Sequence, residues 1–138
     1  MNGARAAQMR TVSPVFLVAD VVKAAAYYRD ALGFDIPRFW GEPPTFCIPQ
    51  RGRLSVMLNE VGPGQRVTPN AEYDGRFDAY FYVDDADALH AEFKANGANV
   101  VCEPEDLPYL MREFQVLDVD GHLLAFGHDI SGEGAANG

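Results

Sequence analysis

Aromatic side chains are the residues of this sequence best suited to bind a small molecule. Tyr80 and Tyr82 alternate along an apolar run, so a β-strand would place both on one face. Phe39 and Trp40 end another such run. Rings of this kind stack on flat ligands, including cationic ones. The candidate ligand-binding residues are therefore Phe39, Trp40, Met57, Tyr80, Tyr82, Tyr109, Met111 and Phe114.

The same side chains could instead fill a hydrophobic core. For Phe46 and Phe114 we favour the core, where phenylalanine is most often found. For Trp40, Tyr80 and Tyr82 both interpretations stay open, because the polar end of each ring suits a half-open cleft.

The three histidines are interpreted as surface residues. His90 falls on the exposed face of a predicted helix, His122 follows a turn glycine, and His128 ends the last predicted strand. Six residues along a strand separate His122 from His128 by about 20 Å, which is too far to share one metal ion.

The cysteines and the apolar runs bear on the compartment. Cys47 and Cys102 are too few for a disulfide framework and are interpreted as small buried thiols. No apolar run approaches the roughly 20 residues of a membrane helix, and residues 1–10 do not resemble a secretory signal. We expect a cytoplasmic protein with no membrane partner.

The charge balance excludes one class of partner. Eleven Lys and Arg against 20 Asp and Glu give a net charge of −9. Nucleic-acid binding depends on neutralising phosphates, so we expect no nucleic-acid partner. The acidity is compatible with a cationic ligand, although we favour the simpler interpretation that it aids solubility.

The chain contains an internal repeat. An apolar run ending at Val18, the helix N-cap Asp20 and a helix over residues 21–32 reappear as Val83, Asp85 and a helix over residues 86–96. The matching residues of the two copies lie 65 positions apart: Val18 with Val83, Asp20 with Asp85, and Tyr28 with Phe93. Three predicted strands follow each helix, at residues 36–40, 46–49 and 53–58, and at residues 99–103, 113–117 and 122–127.

Each half therefore reads strand, helix, strand, strand, strand. We expect one α+β domain with two tandem βαβββ modules, a curved, cup-shaped mixed sheet and helices outside. Module 1 spans about residues 11–60, a polar linker 61–76, module 2 77–129 and a flexible tail 130–138. In this alignment Phe46 corresponds to Phe114. A cleft enclosed by such a sheet is the default functional site.

Three segments in order resemble the vicinal oxygen chelate superfamily, also known as the glyoxalase/bleomycin-resistance protein/dioxygenase family. They are Val15-Phe-Leu-Val-Ala-Asp20 with Ala26-Tyr-Tyr-Arg-Asp-Ala-Leu-Gly-Phe34, then Tyr82-Val-Asp-Asp-Ala-Asp-Ala-Leu89, then Arg112-Glu-Phe-Gln-Val-Leu-Asp-Val-Asp-Gly-His122. The resemblance covers about residues 11–129. It implies paired βαβββ modules and a homodimer. It leaves function open, because the family holds metalloenzymes and metal-free drug-binding proteins.

The resemblance also implies where a metal would bind. The family's four ligand positions fall here on Ser13, the strand around Val56, Asp78 and Ala125. Only Asp78 is an ordinary ligand, and one carboxylate does not hold a catalytic ion. The sequence therefore predicts no metal and no cofactor.

The leading functional hypothesis is a metal-independent binding protein of bleomycin-resistance type. Its ligand would be a planar organic molecule such as a drug or antibiotic, bound in an aromatic cleft. The alternative is a glyoxalase-like or dioxygenase-like metalloenzyme with an atypical site, for which Asp78, Glu60, Glu113 and His122 would have to converge. A third hypothesis, a structural or regulatory partner, has only the polar linker in its favour. Of Arg112 and Glu113, only one can face the cleft, because side chains alternate along a strand.

Overall fold

The two halves of the chain form similar series of elements, and the first half has two additional short strands. The computed structural model describes residues 6–132. In the first half the elements are β1 (Val15–Val18), α1 (Val21–Asp30), β2 (Phe39–Trp40), β3 (Phe46–Cys47), β4 (Gln50–Arg51), β5 (Leu54–Ser55) and β6 (Met57–Glu60). A 3-10 turn (Asn70–Glu72) precedes β7 (Ala79–Tyr82), α2 (Ala86–Ala95), β8 (Asn99–Leu107), β9 (Met111–Leu117) and β10 (Leu123–Asp129).

Both α-helices begin at the predicted caps. The carboxylate of Asp20 accepts a hydrogen bond from the Lys23 amide at 3.1 Å, and Asp85 accepts one from the Ala88 amide at 3.0 Å. These bonds satisfy amides that would otherwise lack a partner in the first turn. Helix α1 ends two residues earlier than predicted, because the chain leaves it through Gly33 at a φ of 73°, a conformation that favours glycine.

The two main sheets have one topology. Their strand orders are β1-β6-β3-β2 and β7-β10-β9-β8. In each, the first strand runs parallel to the last, and the other neighbours are antiparallel. The α+β class is thus confirmed, while the division into modules at residues 60 and 77 stays a prediction. Among residues 6–132 no backbone ladder joins the two sheets.

The strand register corrects the alignment of the repeats. In the first sheet Cys47 lies opposite Leu58, which in turn lies opposite Phe16. In the second sheet Phe114, Phe126 and Phe81 occupy these positions. Cys47, not Phe46, is therefore the counterpart of Phe114, and the alignment based on Phe46 was wrong by one residue.

Several strand limits also differ from prediction. The strand expected over residues 36–40 is reduced to Phe39–Trp40, and the one over 53–58 is divided at Val56. There the β4–β5 hairpin forms its own two-stranded sheet, and the Val56 amide bonds the carbonyl of Pro49 at 3.0 Å. Strand β8 extends to Leu107, and its pairing register with β9 shifts at two irregularities along the way.

One hydrophobic core cluster includes side chains from both halves. The α1 stripe of Val21, Ala25, Tyr28 and Leu32 is buried as predicted, and Phe93 of α2 joins the same cluster. We call the face of each sheet that points away from this cluster its open face. No helix in residues 6–132 has the length and apolar character needed to cross a membrane. The predicted flexible tail lies largely outside the described residues.

Candidate functional site

The open face of the second sheet carries two tyrosines from β7. Tyr80 and Tyr82 lie with ring centroids 5.1 Å apart, and Tyr82 is 78% exposed. Phe81, between them, is buried and stacks on Phe126 at 4.9 Å. The alternation predicted from the sequence is confirmed, and it places both tyrosines outside the core.

A large groove runs along β7. Its volume is about 710 Å³, within the range of small-molecule sites. We call it the aromatic groove; its walls are the N-terminal segment 9–12, the β5 pair Leu54 and Ser55, and the strand from Asp78 to Tyr82. A second cavity of about 320 Å³ lies beside it and shares Leu54, Phe81 and Tyr82. Tyr82 is thus placed to contact a ligand in either space.

A buried carboxylate lies on the same open face. Glu113 of β9 is 2% exposed. Its Oε1 accepts hydrogen bonds from the hydroxyls of Tyr80 at 2.8 Å and Tyr109 at 2.5 Å, while its Oε2 is buried and has no partner. Burial and the neighbouring carboxylate raise the pKa of Tyr109 to about 12 and that of Tyr80 well above its usual value. Both hydroxyls therefore stay protonated and donate.

Gly127 makes room for this cluster. It lies opposite Glu113 on β10, and a Cβ at this position would lie 3.1 Å from the Glu113 Cβ and would collide with the Tyr80 hydroxyl. Only glycine lets the phenol cross the strand and reach the carboxylate. The arrangement of Tyr80, Glu113 and Gly127 is therefore specified by three different strands.

The first sheet holds the other predicted ring residues. Trp40 lies against Phe46, with centroids 5.6 Å apart, and the Arg38 guanidinium lies 4.5 Å from the Trp40 ring. Register places Phe46 on the open face with Trp40, which corrects its assignment to the core. Met57 also lies on this face, and Phe39 lies on the opposite one, opposite Cys47. Trp40 lines a separate small cavity of about 130 Å³.

Two further predicted residues separate in the structure. Met111 begins β9 beside Tyr109, half-buried. Phe114 is fully buried, stacked on Phe126 at 5.3 Å and edge-on to Phe93 at 5.9 Å. It belongs to the core on the far side of β9, so its inclusion among ligand-binding residues is corrected. Its neighbour Glu113 lies on the open face instead.

None of the histidines is an ordinary surface residue. His90 is 14% exposed at its side chain and lies edge-on to Phe114 at 5.4 Å. His128 is half-buried, and its Nδ1 accepts a hydrogen bond from the Ala86 amide at 2.9 Å. His122 is 4% exposed and stacks on Phe16 at 4.7 Å. The surface interpretation was wrong because these contacts are made with other elements, which local sequence patterns do not show: α2 packs His90 against Phe114 of β9, and strand register turns His122 towards Phe16.

His122 belongs to a buried polar network. Its Nδ1 donates to Asp118 Oδ2 at 2.8 Å, and the Tyr28 hydroxyl donates to the same oxygen at 2.8 Å. Asp118 Oδ1 accepts the amides of Asp120 and His122. Burial lowers the pKa of His122, but the hydrogen bond and charge of Asp118 outweigh it, so the net pKa is raised.

Comparison with known proteins now gives the family. The model of the Glyoxalase/Bleomycin resistance protein/Dioxygenase superfamily matches residues 10–126. The chain belongs to this superfamily. A search of curated proteins found no match.

Several solved structures share the fold of this chain. TioX from Micromonospora sp. ML1 is 21% identical, with 86% of this chain and 99% of that chain covered and a TM-score of 0.66. The bleomycin-binding protein of Streptomyces verticillus, complexed with copper(II)-bleomycin, is 23% identical, with 88% and 97% covered and a TM-score of 0.67. A glyoxalase-related enzyme from Clostridium phytofermentans is 20% identical, with 92% and 100% covered and a TM-score of 0.68.

The superfamily's metal positions do not suit a divalent ion in this chain. Ser13 Oγ is hydrogen-bonded to Ser55 Oγ at 2.6 Å. Both oxygens of Asp78 accept backbone amides, from Asn70 and Leu123. The other two positions lie in the last strand of each sheet. Strand register places Ala125 at one and Met57 at the other, and neither side chain has an oxygen atom that could bind a metal. One hydroxyl and one carboxylate that already accepts two amides do not supply enough metal ligands for such a site.

The residues of the alternative metalloenzyme site do not converge. Within residues 6–132 the one cluster with metal-ligand geometry is Asp118, Asp120 and His122. It excludes Glu113, Asp78 and Glu60, whose Oε2 accepts the Val21 amide at 2.9 Å. Asp118 and His122 already bond each other and the turn backbone, so this cluster serves the β9–β10 turn.

The raised pKa of His122 predicts a pH-dependent stability. A folded-state pKa above the usual 6.5 means that the stabilisation is complete below pH 6.5 and is lost as pH rises through the folded value. The free energy of unfolding, measured by urea titration at a series of pH values, should therefore show this decline in the wild type. His122→Gln and Asp118→Asn should both lack it. An unchanged decline in both variants would assign it to other groups.

Proposed function

We propose that this protein binds a planar organic ligand, such as a drug or antibiotic, without a metal and in an aromatic cleft, in the manner of bleomycin-resistance proteins. The observation that carries the proposal is the aromatic groove, whose size suits such a molecule and whose wall includes Tyr80 and Tyr82. Protection by sequestration requires only affinity and abundance, so no catalytic group is needed. We place this activity in the cytoplasm.

The chemistry of the groove supports a flat ligand. Tyr82 exposes most of its ring and Tyr80 lies tilted beside it, so an aromatic ligand can stack while each hydroxyl stays hydrogen-bonded or solvated. Proteins of similar fold include the bleomycin-binding protein of S. verticillus, bound to its drug. That likeness supports a binding role for this fold in general, and the groove supports it for this chain.

Removing the exposed ring should weaken binding. A thermal-shift screen of flat polycyclic compounds should yield at least one ligand, and Tyr82→Ala should reduce its affinity about two- to tenfold, the worth of one stacked ring. Tyr73→Ala is the control, because Tyr73 is similarly exposed, at 61%, and lies outside the groove. Equal affinities of both variants would remove Tyr82 from the site, and a screen without ligands would contradict the proposal.

The donor set at the superfamily's positions supports metal independence. Protein purified without chelator or metal-affinity tag and supplied with Zn²⁺, Ni²⁺, Mn²⁺ or Fe²⁺ should retain less than about a tenth of an equivalent of each by elemental analysis. Ligand affinity should be the same after chelation. Near one equivalent, lost in Asp78→Asn and retained in Asp84→Asn, would instead favour the metalloenzyme.

We also propose that the chain acts as a homodimer. The open face of the first sheet exposes Val15 and Leu17 at 55% and 48%, next to the half-buried Met57 and Phe46. Exposed apolar residues grouped on one face suit an interface, and a second copy would bring another sheet to cover them.

Light scattering should therefore give twice the chain mass of 15.1 kDa. Leu17→Glu should shift the mass towards the monomer, because it places a charge on the open face. Val22→Glu should not, although Val22 is equally exposed, at 51%, since it lies on α1. A monomeric wild type, or equal effects of the two substitutions, would contradict the dimer.

A further inference from the structure

We propose that Glu113 is a binding site for a cationic, hydrogen-bond-donating group of the ligand, such as a protonated amine or amidinium. This inference rests on the proposed function and names the ligand's polar chemistry. Glu113 is 98% buried, yet one of its two oxygens has no hydrogen-bond partner. An unpartnered carboxylate oxygen inside a protein is costly, and its persistence calls for a partner from outside the chain.

A second carboxylate strengthens this inference. Glu105 of β8 lies directly opposite Glu113 in the antiparallel register. Like charges at opposed positions repel, with Cβ atoms about 4.5–5.5 Å apart. Among the described residues neither glutamate takes part in an ion pair, and the adjacent Arg112 is held by Asp87 and Asp106 instead. A bound cation would relieve the repulsion between Glu105 and Glu113.

The neighbouring tyrosines hold the carboxylate ready without neutralising it. The Tyr80 and Tyr109 hydroxyls donate only to Oε1, and phenols do not supply a compensating charge. Gly127 leaves the space through which Tyr80 crosses to Glu113. Tyr80 also lines the aromatic groove, so a ligand whose flat part occupies the groove can direct a short cationic arm to this carboxylate.

Access to Glu113 requires one movement. Tyr109 lies over the carboxylate at the β8–β9 turn, where the residue is 55% exposed. Rotation of this side chain would break its hydrogen bond to Glu113 Oε1. We infer that the cationic group enters when the Tyr109 phenol swings aside, and that it then bonds the carboxylate.

The experiment compares 1-naphthylmethylamine with its neutral isostere 1-naphthylmethanol by calorimetry at pH 7. A hydrogen bond to a buried charge predicts that the amine binds the wild type about tenfold or more tightly. In Glu113→Gln the preference should fall to about onefold while binding of the alcohol remains measurable, which also shows that the variant is folded. Glu103→Gln is the matched control: it removes the same charge from β8, where Glu103 pairs with Lys94, and should keep the preference.

The outcomes separate the two proposals. Equal binding of amine and alcohol to the wild type, or a preference that survives in Glu113→Gln, overturns the cation site and leaves the groove as a binding site. Binding of neither compound to the wild type contradicts both. Tyr109→Phe removes the hydrogen bond that ties the ring to Oε1 and should maintain or increase the preference for the amine; loss of the preference there would overturn the inferred movement. If Glu113→Gln does not fold, Tyr80→Phe is tested instead. It removes a hydrogen bond that holds the carboxylate in place, so the preference for the amine should fall.

Discussion

The aromatic stack of the second half determines which side chains can face a ligand. Phe126 lies between Phe81 and Phe114, with centroid distances of 4.9 and 5.3 Å, and Phe93 of α2 closes the cluster. Side chains alternate along each strand, so once these rings occupy the core their neighbours must point the other way. Tyr80, Glu113 and Gly127 share the open face for this reason. A shift of one residue in β9 would bury the carboxylate among phenylalanines.

A second set of contacts fastens this sheet to the first half. The Tyr28 hydroxyl reaches Asp118, the Tyr27 hydroxyl donates to the Leu117 carbonyl, and the Ala19 amide bonds Asp120. All three acceptors lie at the β9–β10 turn, about 90 to 100 residues away in sequence. Asp118 is buried, and its partners offset the cost of taking a charge out of water. The orientation of the second sheet relative to α1 therefore depends on a polar network that surrounds one carboxylate.

Much of the fold could be predicted because its signals are local. The caps at Asp20 and Asp85, the helix stripes and the alternation of Tyr80 with Tyr82 each involve residues a few positions apart. The burial of His122 and the role of Glu113 could not be predicted in this way. The first depends on the stacking of His122 on Phe16 and on its bond to Asp118, and the second on a glycine in the neighbouring strand. The motif Arg112-Glu-Phe114 did contain a usable signal: if Phe114 lies in the core, Glu113 must lie on the open face.

The two halves share one strand order but carry different polar residues. By strand register the position of Glu113 is occupied in the first sheet by Phe46, and that of Gly127 by Asn59. Where the second sheet presents a carboxylate ringed by phenols, the first presents Phe46 beside Trp40. The divergence at these two positions therefore confines the buried carboxylate to the second sheet, which also carries the aromatic groove.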